Sequence, residues 1–303
     1  MGTSIARAAD TKPTGGLASQ FAPLVVAFAG RTDIGQRRRR NEDAFLMVPD
    51  LRLAVVADGM GGRPCGDFAS ETATLTLAEA VGSGPAKRDP RLSQLSEDER
   101  NLVEAMHSAN RMVYDRGQIL AGTEGSMGTT AVATMFSEDG RTISIVHVGD
   151  SRCYRVREGE IVQLTRDHSL VNELSERAPW LDAEAIATMP KNVLTRALGL
   201  KREVTVDLLS DSTEPADVYL LCSDGLWGSV NAEEIAEIVS LSPSLDDACA
   251  RLVERANENG GGDNITAVLV QLERAETRHV SGLTLRTVRE DMDHVEPDLD
   301  WDR

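Results

Sequence analysis

Aromatic residues are scarce in this chain, 5 Phe, 3 Trp and 3 Tyr among 303 residues, so Val, Ile, Leu and Ala must fill most of its core. Cysteine is scarce too. Its four copies, Cys65, Cys153, Cys222 and Cys249, stand far apart and lack the paired spacing of a zinc site. They read as reduced thiols of a cytoplasmic protein. Basic charge is in deficit: 32 Lys and Arg face 49 Asp and Glu, for a net charge of −17. Such a surface argues against nucleic acid or an anionic membrane as the main partner, and suits a protein that attracts cations or basic peptides. No apolar run approaches the roughly 18 residues needed to cross a bilayer. Residues 1–20 are small and polar, without the apolar block of a secretory signal.

What is present is ample core material, 41% hydrophobic residues, enough for one large domain or two small ones. Residues 1–22 read as a disordered lead and 274–303 as an acidic tail, leaving one continuous domain over 23–273. The tail suits the chain's own arginine-rich segment or a basic partner. Short strands dominate the domain, at 24–29, 44–48, 53–57, 130–136, 142–148, 152–157, 160–164, 218–222 and 265–271. Helical periodicity falls at about 66–81, 97–120, 232–240 and 245–258. Strands grouped with helices outside them predict an α+β architecture of mainly antiparallel sheets. Residues 82–94 read as a surface loop, and 169–192 as a loop or a flap beside the site.

Cys249 to Arg255 matches C-x5-R, the spacing of cysteine-dependent phosphatases. The surrounding segment has helical amphipathicity and no glycine, whereas a phosphate cradle needs turning backbone amides. The match is read as chance.

Five aspartates sit at predicted strand ends, in Asn41-Glu-Asp43, Ala57-Asp58-Gly59, Gly149-Asp150-Ser151, Ser223-Asp224-Gly225 and Gly262-Asp263-Asn264. Carboxylates gathered at one end of a sheet suit hard divalent ions, which in pairs clamp a phosphoryl group and its attacking water. The segment 43–58 reads as strand, four-residue loop, strand. If Val48 faces Leu53, the antiparallel register sets Asp43 directly opposite Asp58. Facing carboxylates repel unless a cation or proton lies between them. The glycine run after Asp58 lets the backbone turn a carbonyl toward the same ions, against the plainer reading of an Asp-Gly turn. Antiparallel pairing of 218–222 with 265–271 brings Asp224 beside Asp263 in the same way.

These motifs, in this order, resemble the metal-dependent protein serine/threonine phosphatases, the type 2C or PPM family. The matching pieces are Arg38-Arg-Arg-Asn-Glu-Asp43, Val56-Ala-Asp-Gly-Met-Gly-Gly62, Gly128-Thr-Thr130, His147-Val-Gly-Asp-Ser-Arg152, Thr165-Arg-Asp-His-Ser169, Leu194-Thr-Arg-Ala-Leu-Gly199, Leu221-Cys-Ser-Asp-Gly225 and Asp263-Asn-Ile-Thr266. The resemblance implies a four-layer αββα sandwich of two antiparallel sheets flanked by helix pairs, with a two-metal centre at one end. It implies Mn²⁺ or Mg²⁺ ions held by Asp43, Asp58, Asp224 and Asp263 and by the carbonyl of Gly59. Glu42 would bind metal-bound water, and Asp150 with Asp224 a third, weaker ion. Family spacing, rather than chemistry, selects Arg38 from the run 37–40 as the phosphate-binding arginine, although a guanidinium fork suits the task.

Met60 stands where many eukaryotic members carry a histidine proton donor, as in many bacterial relatives, and methionine donates no proton. His147 and His168 are read as structural, so no general acid is named. The resemblance further implies phosphorylated protein substrates, an opposing bacterial serine/threonine kinase, a monomer and a cytoplasmic location. Rival readings are a regulatory phosphatase of one specialised phosphoprotein, a silent binding module on the same fold, and a hydrolase of small phosphoesters.

Overall fold

The computed structural model describes residues 24–60, 65–84, 90–120, 127–177, 180 and 193–274. The lead, the acidic tail and the glycines after Met60 lie outside them, as does most of 178–192. In chain order the strands are β1 (Leu24–Asp33), β2 (Asp43–Val48), β3 (Leu53–Met60), β4 (Gly128–Thr129), β5 (Ala131–Phe136), β6 (Thr142–Val148), β7 (Arg152–Arg157), β8 (Glu160–Gln163), β9 (Asp207–Ser212), β10 (Val218–Cys222) and β11 (Ile265–Arg274). The helices are α1 (Gly66–Ser83), α2 (Glu97–Leu120), α3 (Leu170–Arg177), α4 (Asp224–Trp227), α5 (Ala232–Leu241) and α6 (Leu245–Glu258).

Two antiparallel sheets form, ordered β1-β11-β10-β7-β8 and β2-β3-β5-β6-β9, with β4 attached to β3. Strand alternation explains why the central strands are apolar throughout. Leu53, Val55 and Ala57 of β3 pack with Leu77 and Met106 of α1 and α2. The intervening Ala54 and Val56 face the second sheet, where Tyr219, Leu221, Val268 and Val270 meet them. On the far side Leu220, Ile265, Ala267 and Leu269 pack with Ile235 and Leu252 of α5 and α6. Three apolar layers between four structural layers make the αββα sandwich. Phe136 and Tyr219 close edge to face, 5.7 Å between centroids, across the middle layer.

Helix starts follow their capping residues. Ser96 and Glu99 bond reciprocally through side chain and backbone, a capping box opening α2. The Asn231 and Ser244 side chains accept the Glu234 and Asp247 backbone N–H groups at the starts of α5 and α6. The expected 82–94 loop is shorter than the sequence predicts: α1 runs on through Ser83, and Pro90–Leu92 forms a 3-10 turn. β9 was not predicted. Its sequence, Asp-Leu-Leu-Ser-Asp-Ser, is polar because it lies at the edge of its sheet, where little must be buried.

Candidate metal centre

β2 and β3 pair with Val48 opposite Leu53, and the same register sets Asp43 opposite Asp58. β10 and β11 pair with Cys222 opposite Ala267, so Asp224 and Asp263 emerge together at one end. An added Cβ on Gly225 would lie 3.4 Å from the Asp263 Cβ and 1.9 Å from the Asn264 carbonyl oxygen. Glycine is required for that approach. Asp150 begins the crossing from β6 in one sheet to β7 in the other. The five carboxylates therefore converge from both sheets.

Their electrostatics record the crowding. Burial first, then the charges of Asp43, Asp224, Asp150 and Asp263, pushes the Asp58 carboxyl well above its ordinary range. Burial, then Asp224, raises Asp150 to about 7. Asp224 is raised by burial and by Asp263. Burial likewise lifts Asp43 to about 7, although two hydroxyls pull the other way. Those hydroxyls are Ser223 Oγ and Thr266 Oγ1, which donate to Asp43 Oδ2 at 2.7 and 2.6 Å. The other oxygen, Asp43 Oδ1, is buried without a hydrogen-bond partner among the described residues. A bare buried oxygen on a carboxylate that also feels the charges of Asp58, Asp224 and Asp263 is costly unless a cation takes it. The donor set is all oxygen, which fits Mg²⁺ or Mn²⁺ rather than softer metals.

The rim is built with equal economy of space. Gly59 lies under the start of α1, where an added Cβ would come within 2.0 Å of the Gly66 carbonyl oxygen. Gly66 in turn lies under the Glu42 carboxylate, 2.5 Å from where its own Cβ would be. Burial raises the Glu42 carboxyl, against the pull of Arg38. Arg38 Nη2 donates to Asp263 Oδ2 at 2.5 Å while its side chain stays half exposed. Of the neighbouring arginines, Arg40 pairs loosely with Asp67 at 3.7 Å.

Several positioning residues were not singled out from the sequence. Thr130 Oγ1 accepts the Asp58 backbone N–H at 3.1 Å and bonds Ser151 Oγ at 2.6 Å. Asn264 ties the arginine segment to β11 through three bonds. Trp227 Nε1 donates to the Asp150 carbonyl at 3.0 Å, and the Arg152 guanidinium lies 3.5 Å above its ring. Their only sequence signal was membership of the matched motifs or nearness to them.

His147 and His168 are both buried and stack 4.6 Å apart at 22°. Burial lowers both, His168 to about 4, so neither stores a proton for a leaving group near neutral pH. Cys249 is buried inside α6, where burial pushes its thiol up to about 12, and Arg255 pairs with Glu234 and Glu258. The C-x5-R spacing is therefore helical coincidence.

A two-sheet sandwich with an oxygen-only acidic centre and an arginine at its rim is the architecture of a metal-assisted phosphohydrolase. The protein phosphatase 2C family profile matches residues 32–270, and the chain belongs to that family. It is 36% identical over 246 residues to a putative protein phosphatase 2C-type of Streptococcus pyogenes, spanning 80% of this chain and 96% of the relative. The serine/threonine phosphatase PstP/Ppp of Mycobacterium tuberculosis shares 33% identity and a TM-score of 0.70, over 82% of this chain and 99% of its own. The PstP catalytic domain in complex with two manganese ions matches at 32% identity and a TM-score of 0.69, over 82% and 99% of the two chains.

Proposed function

We propose that this protein hydrolyses phosphoserine and phosphothreonine in protein substrates, with Mn²⁺ or Mg²⁺ as cofactor. The observation that carries the reading is the convergence of Asp43, Asp58, Asp150, Asp224 and Asp263, with Asp43 Oδ1 buried and unpartnered among the described residues. Asp43, Asp58, Asp224, Asp263 and the Gly59 carbonyl would hold the two principal ions. Asp150 with Asp224 would take a weaker third, and Glu42 would orient water at the centre. Bound there, the ions supply Lewis-acid charge and lower the pKa of the attacking water.

The chain's own residues do the rest. Arg38 uses one donor on Asp263, leaving most of its guanidinium fork for phosphoryl oxygens. Met60 lies at the end of β3 and offers no proton, so the leaving alkoxide takes its proton from water or from a residue other than Met60. In this reading 23–273 is the catalytic domain, with a lead and an acidic tail outside it. The protein acts as a cytoplasmic monomer against a cognate bacterial serine/threonine kinase. Among the described residues no helix is long and apolar enough to cross a membrane.

Release of inorganic phosphate from a phosphothreonine and a phosphotyrosine peptide tests it, with Mn²⁺, with EDTA, and with Asp224→Asn. Mn²⁺-dependent release from phosphothreonine, abolished by EDTA and by the variant, is the expected result. No release with Mn²⁺ present favours a silent binding module instead.

A further inference from the structure

His147 and His168, both buried, and the partly exposed Asp207 form a group whose ligand atoms lie within 4.8 Å of one another, the spacing of a metal site. Hydrogen bonding argues against one. The Gly149 backbone N–H donates to His168 Nδ1 at 3.0 Å, so that nitrogen holds a lone pair and the proton must be on Nε2. A protonated Nε2 cannot ligate a metal. It instead faces Asp207 Oδ2 at 3.2 Å, short of good hydrogen-bond alignment. Asp207 is already neutralised by Arg196, 2.5 Å away.

The tautomer points to another role. Residue 168 takes both polar groups of the Gly149 backbone: its ring accepts the N–H, and its own N–H donates to the Gly149 carbonyl at 2.9 Å. Gly149 holds φ +112°, and an added Cβ would lie 2.6 Å from Thr130 Cβ. This turn, open to glycine alone, carries Asp150, whose carbonyl is held in turn by Trp227.

We propose that His168 is a positioning residue for Asp150, its Nδ1 lone pair fixing the Gly149 turn that sets the Asp150 carboxylate beside Asp224. The proposal rests on the reading of Asp150 as a ligand of the weaker ion. His168 touches neither that ion nor substrate. Its ring is held in place by the His147 stack, and His147 is itself anchored through Nε2 to the Arg166 carbonyl at 2.9 Å.

The test is Mn²⁺ titration of the full chain by calorimetry and electron paramagnetic resonance, beside hydrogen exchange of the Gly149 amide in EDTA. His168→Asn keeps an acceptor where Nδ1 stands; His168→Gln moves it away. Asp150→Asn should remove the weakest Mn²⁺ event and spare the stronger ones. His168→Gln should weaken that same event about tenfold, in line with other groups that orient metal ligands. It should also speed exchange at Gly149, while His168→Asn retains both properties. Thermal unfolding in EDTA checks that the two His168 variants are equally folded. If Asp150→Asn leaves every Mn²⁺ event unchanged, the ligand reading fails and this proposal with it. If Asp150→Asn loses the weak event and His168→Gln keeps it, only the proposal fails. Equal losses in His168→Asn and His168→Gln also overturn it, since the lone pair would then be irrelevant.

Discussion

Asn264 on the loop before β11 accepts the Glu42 backbone N–H at 2.8 Å, so one sheet fixes where the first strand of the other begins. The same amide donates to the carbonyls of Ile34 and Arg40 at 2.9 and 2.8 Å. Arg38 thus lies on a segment pinned at both sides. Asn264→Ala strands three backbone groups, and unfolding in urea should show a loss of about 2 kcal/mol. KM for a phosphothreonine peptide should rise as well, because Arg38 is no longer held beside Asp263.

The two hydroxyls on Asp43 can be removed almost without changing volume. Thr266→Val and Ser223→Ala each delete a donor to Asp43 Oδ2. Each should weaken Mn²⁺ binding about tenfold or more, as loss of a hydrogen bond to a ligating carboxylate does. Calorimetric titration reads this directly; unchanged affinity in both would remove Asp43 from the ligand set.

Acid groups raised in the fold make stability depend on pH in a defined direction. Asp43 and Asp150 are held near 7 against an ordinary value of 3.8, so between those limits the folded state binds more protons than the unfolded one. Stability without metal should therefore fall as pH rises through that window, and the full penalty is present above it. Divalent ions take the deprotonated form and cancel the penalty. The expected outcome is a Tm difference between Mn²⁺ and EDTA samples that widens from pH 5 to pH 8. A difference independent of pH would contradict it.

Close packing at the rim predicts that Gly59→Ala is damaging, because its Cβ would overlap the Gly66 carbonyl. Overpacking of this kind costs about 1–3 kcal/mol and moves backbone. Activity should fall further than stability, since Gly59 follows Asp58 directly. Calorimetry and phosphate release on the same sample separate the two effects.

Cys249→Ala should leave turnover within about twofold of the parent chain while costing about 1 kcal/mol for a small buried cavity. Complete loss of activity in a folded sample would reopen the thiol as a nucleophile.

Much of the centre was legible because its key pairing is local. The hairpin of Asp43 and Asp58 needs only strand alternation and a short loop, and once Val48 is set opposite Leu53 its register follows. The helix 245–258 was equally plain from periodicity, with a serine cap to start it. The bonds of Asn264 to residues 34, 40 and 42 were illegible, because they depend on how β1 and β11 pair across more than two hundred residues. β9 failed for a different reason: an edge strand need not be apolar on both faces. The tautomer of His168 could not be read from the motif at all, since it is set by a backbone donor nineteen residues away.

The centre draws Asp43 and Asp58 from one sheet and Asp224 and Asp263 from the ends of strands in the other. It works as a clasp across a seam. If these carboxylates hold the ions as proposed, catalytic geometry is a gauge of how the two halves lie against each other, and a slip of an ångström between them would disarm the enzyme without unfolding either one.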